Sequence, residues 1–558
     1  MNVSGGFVAR GHPVGATGVA QIAEIAEQLT AAPARGRSKA RGSASRRWRA
    51  GCSGAIRRRR RSHPGALMAY AIEKEYGLYV GNRFVAPSSN ARLESLSPLT
   101  GEVLCVVPDA NAADVDAAVS AARAAWPKWF DAGPRKRQAL LMKCADRLAA
   151  EAERFAWLET SDTGKPWRES LANVHTAADR IRYYAGACRA LEGNTLPVGG
   201  TILSLDFREP LGVIGILGAW NFPLNMFAGK IAPALAVGNA VVYKPAEPTP
   251  ITTLEFARLM GEILPPGVVN VVTGNGETAG AAIVAHPGIR KISITGAVET
   301  GRRVMAAAAA TGKQITLELG GKNAQIVCED ADLDRAAQGI LLGAFMNQGQ
   351  VCTSGSRILA HASVAKALGE KIVALIPKLK IGDPFAKDTT MGTLCYREHM
   401  DRVLDYIAIG RREGATVLAG GGRLAVKAYP NGLYLQPTLF GGVTADMRIA
   451  REEIFGPVAT LHTWDDEDAM LAEANGLDYG LAAGIWTRDF GRAHRLARAV
   501  EAGRVWINCY NLFPSGAAFG GSKGSGFGRE DAFETMLAFT QVKNVVADIA
   551  AEQRRFYE

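Results

Sequence analysis

The chain of 558 residues contains no CxxC pair and no HExxH or HxH pair. Its eight cysteines and eight histidines are scattered, so neither a disulfide framework nor a metal centre has support in the sequence. Isolated thiols fit a reducing compartment, and the expected location is cytoplasmic. The glycine fingerprints of nucleotide sites are missing too. Gly274-Asn-Gly-Glu-Thr-Ala-Gly280 has the wrong spacing for GxGxxG, and no GxxxxGK[ST] loop occurs. A long uninterrupted apolar run is also lacking. The uncharged stretch Leu211 to Gly229 approaches the length of a membrane span, but Gly212, Gly215, Gly218, Asn221, Pro223 and Asn225 break it. It reads as a buried strand, a loop and the start of a helix, with no membrane partner.

What is present is ample core material, 48% apolar residues, on a chain long enough for two or three domains. The net charge of +10 is unevenly placed. Thirteen Arg and Lys against Glu24 and Glu27 give residues 1–67 a charge of +11, leaving −1 for residues 68–558. A nucleic-acid footprint is therefore confined to this basic low-complexity leader, and a nucleic-acid partner is not expected for the body. The leader's Arg, Ser, Gly and Ala content suits a transit peptide or a basic arm. The favoured reading is a stretch upstream of the natural start, because patterned sequence begins at Met68.

Asn111-Ala-Ala-Asp114 can cap a helix, with Val115, Val119, Ala122 and Trp126 following at helical spacing. A second helical pattern runs from Ala139 to Glu159. From Leu211 short apolar strands alternate with helices: strands at 211–218, 240–244, 268–272, 291–295 and 314–319, helices near 229–239, 250–264, 277–285 and 300–310. The alternation restarts at Ala324–Cys328 and continues through 480–486 and 504–508. Near-continuous apolar strands between helices imply a parallel sheet covered on both faces, so the fold class is α/β with two domains joined near Gly320-Gly321. Strands at 201–210 and 538–548 fit neither domain and suggest a shared sheet, an oligomer contact or an edge hairpin.

Ligands on such sheets bind beyond the carboxyl ends of the strands. Those ends carry Ala219-Trp-Asn-Phe-Pro223, Lys244-Pro-Ala-Glu247, Gly296-Ala-Val-Glu-Thr-Gly301 and Glu318. Glu247 could accept hydrogen bonds from an adenosine ribose, or simply pair with Lys244 at a helix start. Cys352 lies in Phe345-Met-Asn-Gln-Gly-Gln-Val-Cys-Thr-Ser-Gly-Ser-Arg357. Gly349 and Gly355 permit unusual backbone there, which suits a positioned nucleophile, although an isolated cysteine is more often a small buried hydrophobe.

Six segments together resemble the aldehyde dehydrogenase superfamily. They are WNFP (220–223), KPAE (244–247), LELGGK (317–322), FMNQGQVC (345–352), EEIFGP (452–457) and FGGSKGSGFGRE (519–530), in family order from about Tyr79 to Asp548. The resemblance implies a Rossmann-like NAD-binding domain (68–191 and 211–319), an α/β catalytic domain (320–531) and a small β oligomerisation arm (192–210 and 532–558), hence a homodimer or homotetramer. It implies NAD-dependent oxidation of an aldehyde to the carboxylic acid. Cys352 would be the nucleophile, forming a thiohemiacetal and then a thioester. Asn221 would help hold the oxyanion, and Glu318 would activate water. Trp220, Lys244, Glu247, Gly296, Glu453 and Phe455 would bind the cofactor, with NAD preferred over NADP because Glu247 repels a 2′-phosphate. Ala297 departs from a serine that many relatives place there.

Phe222, Asn225, Met226, Gly229, Met346, Phe513 and Phe519 would line the aldehyde tunnel. Several relatives carry a bulky aromatic at the Gly229 position, so glycine is expected to widen it. No Trp occurs among these positions, which disfavours a quaternary-ammonium substrate and favours an aromatic aldehyde or a semialdehyde. The alternatives are a cysteine hydrolase that needs no nucleotide and a non-enzymatic scaffold. The nearest histidine along the chain, His361, has no signature around it to support the former.

Overall fold

A computed structural model describes residues 69–552 and residue 557, so the expectations for residues 1–67 lie outside the described residues. The chain is α/β and is organised on two largely parallel sheets.

The first sheet contains β1 (Leu78–Val80), β2 (Arg83–Val85), β3 (Val213–Leu217), β4 (Ala240–Lys244), β5 (Val269–Val271), β6 (Lys291–Thr295) and β7 (Gln314–Glu318). Their order is β2-β1-β5-β4-β3-β6-β7, closed at the far edge by Gly526–Phe527. β5, β4, β3, β6 and β7 run parallel, while β1 and the 526–527 pair run antiparallel. Chain order reverses between β3 and β6, and such a switch point opens a crevice at the carboxyl ends. Strand alternation feeds two cores. Ile214, Ile216, Val241 and Tyr243 face one, and Val213, Leu217, Ala240 and Val242 face the other.

The second sheet contains β8 (Ala324–Val327), β9 (Arg357–His361), β10 (Thr416–Ala419), β11 (Thr438–Gly441), β12 (Val458–Trp464), β13 (Ala482–Trp486) and β14 (Arg504–Ile507). The order is β10-β11-β12-β9-β8-β13-β14, parallel except for β10.

The 111–114 expectation holds in detail. The Asn111 side chain accepts from the Ala113 and Asp114 amides at 2.8 and 3.2 Å, and Asp114 accepts from the Asn111 amide at 3.1 Å. Such a reciprocal cap contributes about 1 kcal/mol to the helix Ala112–Asp131. The single helix expected over 139–159 is two, Gly133–Ala150 and Ala152–Thr163, hinged at Glu151. No Gly or Pro marks the hinge, so helical periodicity runs across it unbroken. The helix expected at 229–239 begins earlier, at Pro223, because proline's fixed φ and missing N–H suit a first turn. Residues 276–280 form a wide π-turn ahead of the short helix Ala281–Ala285.

The two outlying strands pair with each other. Ile202–Pro210 and Thr540–Asp548 run antiparallel through nine residue pairs, with Thr195–Leu196 on the inner flank. Val542 and Val546 on the outer strand stay 54% and 62% exposed. Among the described residues no helix is long and apolar enough to cross a membrane.

Candidate active site

A cavity of about 710 Å³ opens over the carboxyl ends of β3, β4 and β6. Trp220 and Asn221 reach it from the loop after β3, Lys244 and Glu247 from the end of β4, and Gly296 from the loop after β6. Glu453, Phe455 and Cys352 close it from the second sheet's side. The Lys244 ammonium is buried and donates to the Gly274 and Pro245 carbonyls at 2.7 and 2.9 Å and to Glu247 Oε1 at 3.0 Å. Burial draws its pKa down, and the Glu247 carboxylate opposes that. The Glu247 side chain stays 37% exposed, so it keeps acceptor capacity for a ligand.

The missing glycine fingerprint has a structural counterpart. Gly276 and Gly280 of the π-turn line the cavity, as do Ala297 and Thr300 at the start of the helix Val298–Ala309. Ala297 caps that helix with no side-chain bond, leaving the first-turn amides free for an anion. Thr300, within the strand-end segment 296–301, lines the cavity, and so does Arg303 of the same helix, which was not foreseen from sequence.

An aromatic wall backs the inner end. Trp220 meets Tyr396, His399 and Phe455 edge-on at 5.3, 5.0 and 5.2 Å. Burial holds His399 at about 4, so it is neutral, and its Nε2 lies 2.7 Å from the Phe455 carbonyl oxygen. That bond restrains Phe455, whose φ of 62° is unusual for a bulky side chain.

Cys352 follows an unusual turn. After the helix Leu333–Phe345, Asn347, Gln348 and Gly349 all adopt positive φ, 47°, 57° and 68°. Each unfavourable conformation is held by neighbours. The Asn347 amide N–H donates to Glu169 at 3.0 Å, and its side chain donates to the carbonyls of Asn221 and Gln350 at 3.1 and 3.2 Å. Asn323 donates to the Cys352 and Ser354 carbonyls at 2.8 and 2.9 Å. Gly349 meets the expectation for special backbone. Gly355 does not: its need is space, since a Cβ there would stand 2.5 Å from the Gln325 amide. The thiol is pushed up to about 12, first by burial and then by Glu453 and Glu318, so it rests protonated.

Asn221 is clamped on both sides. Its side-chain amide donates to the Gln350 carbonyl at 2.9 Å, and its own carbonyl accepts from Lys165 at 2.7 Å. Lys165 pairs with Glu159 at 2.9 Å, and both side chains are fully buried. The ammonium also sits 4.3 Å from the centre of the Phe222 ring. Sequence reading missed Glu159, Lys165 and Glu169, because charged residues in helices and in the short link between them look solvated.

Glu318 does not line the cavity. It is buried, and neither carboxyl oxygen has a hydrogen-bond partner among the described residues. Burial, reinforced by Glu530, raises its pKa well above the carboxylate range, so it is held neutral.

Phe222 stands at the N-cap of the helix Pro223–Ala236, and Asn225, Met226 and Gly229 follow within it at helical spacing that places them on one face. The Phe513 and Phe519 rings meet at 5.6 Å. Met346 touches Asn511, whose side chain accepts from the Thr353 hydroxyl at 3.2 Å. The expectation for Gly229 needs correction. A Cβ there would stand 3.2 Å from Arg180 Nη1, so the vacated space holds a guanidinium and is not open tunnel. Arg180 donates to Asn225 Oδ1 at 3.0 Å and to Asp531 at 2.5 Å.

A dinucleotide-sized cleft over the carboxyl ends of a doubly wound sheet, with a cysteine after a strained turn in its lining, is the arrangement of a nucleotide-dependent oxidoreductase. Residues 84–545 match the model of the aldehyde dehydrogenase family, and the chain belongs to that family. A protein from Burkholderia cenocepacia, described as a putative aldehyde dehydrogenase, is 42% identical, with 87% of this chain and 100% of that chain covered and a TM-score of 0.85. PnpE from Pseudomonas sp. WBC-3, solved with nicotinamide adenine dinucleotide, is 41% identical over 86% of this chain and 98% of that one, TM-score 0.84. The indole-3-acetaldehyde dehydrogenase AldA from P. syringae, solved as a mutant with NAD+ and IAA, is 36% identical over 86% and 97%, TM-score 0.83.

Proposed function

We propose that the chain oxidises an aldehyde to its carboxylic acid with NAD, through a thiohemiacetal and then a thioester on Cys352. The observation that carries this is that Cys352 and Asn221 line the same cavity as Lys244, Glu247, Glu453 and Phe455.

The residues present fit NAD. Lys244 and Glu247 would hold the adenosine ribose, the free amides at the start of the helix Val298–Ala309 the phosphates, and Glu453 the nicotinamide ribose. Phe455 and Trp220 would border the nicotinamide. When bound, NAD takes up the hydride that leaves the tetrahedral carbon. The rest is done by the chain. Cys352 must first lose its proton to solvent, and the thiolate sulfur then adds to the aldehyde carbon. The new oxyanion receives the second N–H of the Asn221 side chain and the Cys352 backbone N–H, each worth about 3–4 kcal/mol in the transition state. Loss of hydride from the carbon leaves the thioester. Glu318, once it has passed its own proton to solvent and turned toward the sulfur, takes a proton from water; the hydroxide attacks the thioester carbon, the Cys352 thiolate leaves and the acid is released.

Phe222, Met226, Met346, Phe513 and Phe519 support an aromatic aldehyde or a semialdehyde, and the relative that acts on indole-3-acetaldehyde favours the former. The acidic Glu247 favours NAD over NADP. We assign residues 68–191 and 211–319 to cofactor binding, 320–531 to catalysis, and the strand pair 202–210 with 540–548 to a homodimer or homotetramer contact. That all seven described cysteines are free fits a cytoplasmic protein.

The test is an aldehyde panel with NAD, read by NADH absorbance. Cys352→Ala should lower turnover by about four orders of magnitude or more while NAD still binds, as seen by fluorescence quenching. Turnover surviving in that variant would sink the covalent route.

A further inference from the structure

The space beside Gly229 leads to an inference that rests on the dehydrogenase reading and deepens it. Arg180 enters that space from the helix Trp167–Ala187. A second arginine stands on the strand that leads into the loop carrying Phe513 and Phe519. Arg504, at the start of β14, lies 5.8 Å over the Phe513 ring and donates to the Ala517 and Ala518 carbonyls at 3.0 and 2.8 Å. The loop is continuous with the nucleophile's neighbourhood, since Thr353, next to Cys352, is bonded to Asn511 and to Tyr510.

Charge decides what this wall accepts. Two guanidiniums share one carboxylate, Asp531, which binds Arg180 directly and feels Arg504 through space. The hydrogen bonds of Arg504 go to neutral carbonyls, so its charge is not cancelled by a bonded partner. Burial raises the Asp531 pKa and lowers that of Arg504. Any protonation of Asp531 therefore leaves the wall more positive. The adjacent Lys230–Glu530 pair is balanced and adds nothing. Asp179 accepts from Ser515 at 2.5 Å, but it is exposed at the rim, where water and salt screen it. Around Asp531 two guanidiniums thus meet one carboxylate, and one of them, Arg504, lies against the Phe513 ring, which in turn meets Phe519.

We propose that Arg180 and Arg504 select an aldehyde bearing a carboxylate at the end remote from its carbonyl. The aromatic rings take the body of the substrate, the sulfur meets the aldehyde carbon, and the guanidiniums receive the far carboxylate. A cationic aldehyde would be repelled by the same excess charge, and a neutral one would leave it uncompensated.

The experiment compares matched pairs that differ only in charge: 4-carboxybenzaldehyde with its methyl ester, and succinic semialdehyde with its methyl ester. In the wild-type enzyme the acid should have the higher kcat/KM by about tenfold to a hundredfold, the range expected for a charge-assisted bond. The preference should shrink as ionic strength rises. Arg180→Met and Arg504→Met should each move the acid-to-ester ratio toward one, chiefly through KM. An ester used as well as the acid by the wild type overturns the proposal, and so does a wild-type ratio retained in both variants. If Arg180→Met fails to fold because Asp531 loses its partner, the wild-type ratio and Arg504→Met still decide. NADH from none of the four aldehydes would overturn the dehydrogenase reading along with the selection; NADH with equal use of acid and ester overturns the selection alone.

Discussion

The two sides of Cys352 are built by different rules. On the cofactor side, the contacts come from strand ends and backbone: Trp220 and Asn221 after β3, Lys244 at the end of β4, Gly296 after β6, and the open start of one helix. Moving any of them means moving the sheet. The side proposed for the aldehyde draws on side chains from separate pieces of chain: Arg180 on one helix, the 222–229 face on another, and Phe513, Phe519 and Asp531 on loops. Each can be exchanged without disturbing a strand. One half is therefore held by the fold and the other by packing.

Lys165 joins the two halves, since it holds the Asn221 carbonyl and covers the Phe222 ring. Lys165→Met should do the most damage, because it strands the fully buried Glu159 carboxylate. A loss of about 3–5 kcal/mol in denaturant unfolding is expected; a loss under 1 kcal/mol would mean the halves are not braced there. Asn221→Ala leaves that pair intact and removes one oxyanion donor. It should lower kcat by about a hundredfold to a thousandfold with little change in NAD affinity, and an unchanged kcat would place the oxyanion elsewhere.

A smaller effect belongs to the cofactor side alone. Glu247→Gln should narrow the NAD-over-NADP preference in kcat/KM by about tenfold, with no change in preference among aldehydes. A shift in aldehyde preference would show that the halves are coupled. The gentlest test concerns the thiol between them. With its pKa raised to about 12, alkylation of Cys352 by iodoacetamide in the absence of NAD should climb steadily from pH 7 to pH 10. Mass mapping of the Cys352 peptide would follow it, and a plateau near pH 8 would mean a thiolate already formed.

The same division explains how far the sequence could be read. Apolar runs named the parallel strands of the first sheet, AVVYK and KISIT to the residue, because a strand buried on both faces has little choice of composition. The residues just beyond those strands were therefore found as well. What escaped had no local signal. Glu151 bends a helical segment without glycine or proline, and Lys165 looks like any surface lysine until the fold closes over it. Gly229 misled in a similar way. A glycine in sequence reads as empty space, while the guanidinium that fills it comes from 49 residues earlier in the chain.

The turn before Cys352 bears on how this protein could be hardened for use. Left-handed Asn347 and Gln348 cost about 1–3 kcal/mol each in strain, so glycine there would seem a ready route to thermal stability. Yet relaxing the turn would free the segment that sets where the sulfur stands, and Asn347 would lose its bonds to the Asn221 and Gln350 carbonyls. A screen that ranks variants by melting temperature alone would favour such replacements and deliver heat-resistant, sluggish enzyme. Heat tolerance is better sought on the exposed helix faces, and every variant in this turn should be scored by turnover first.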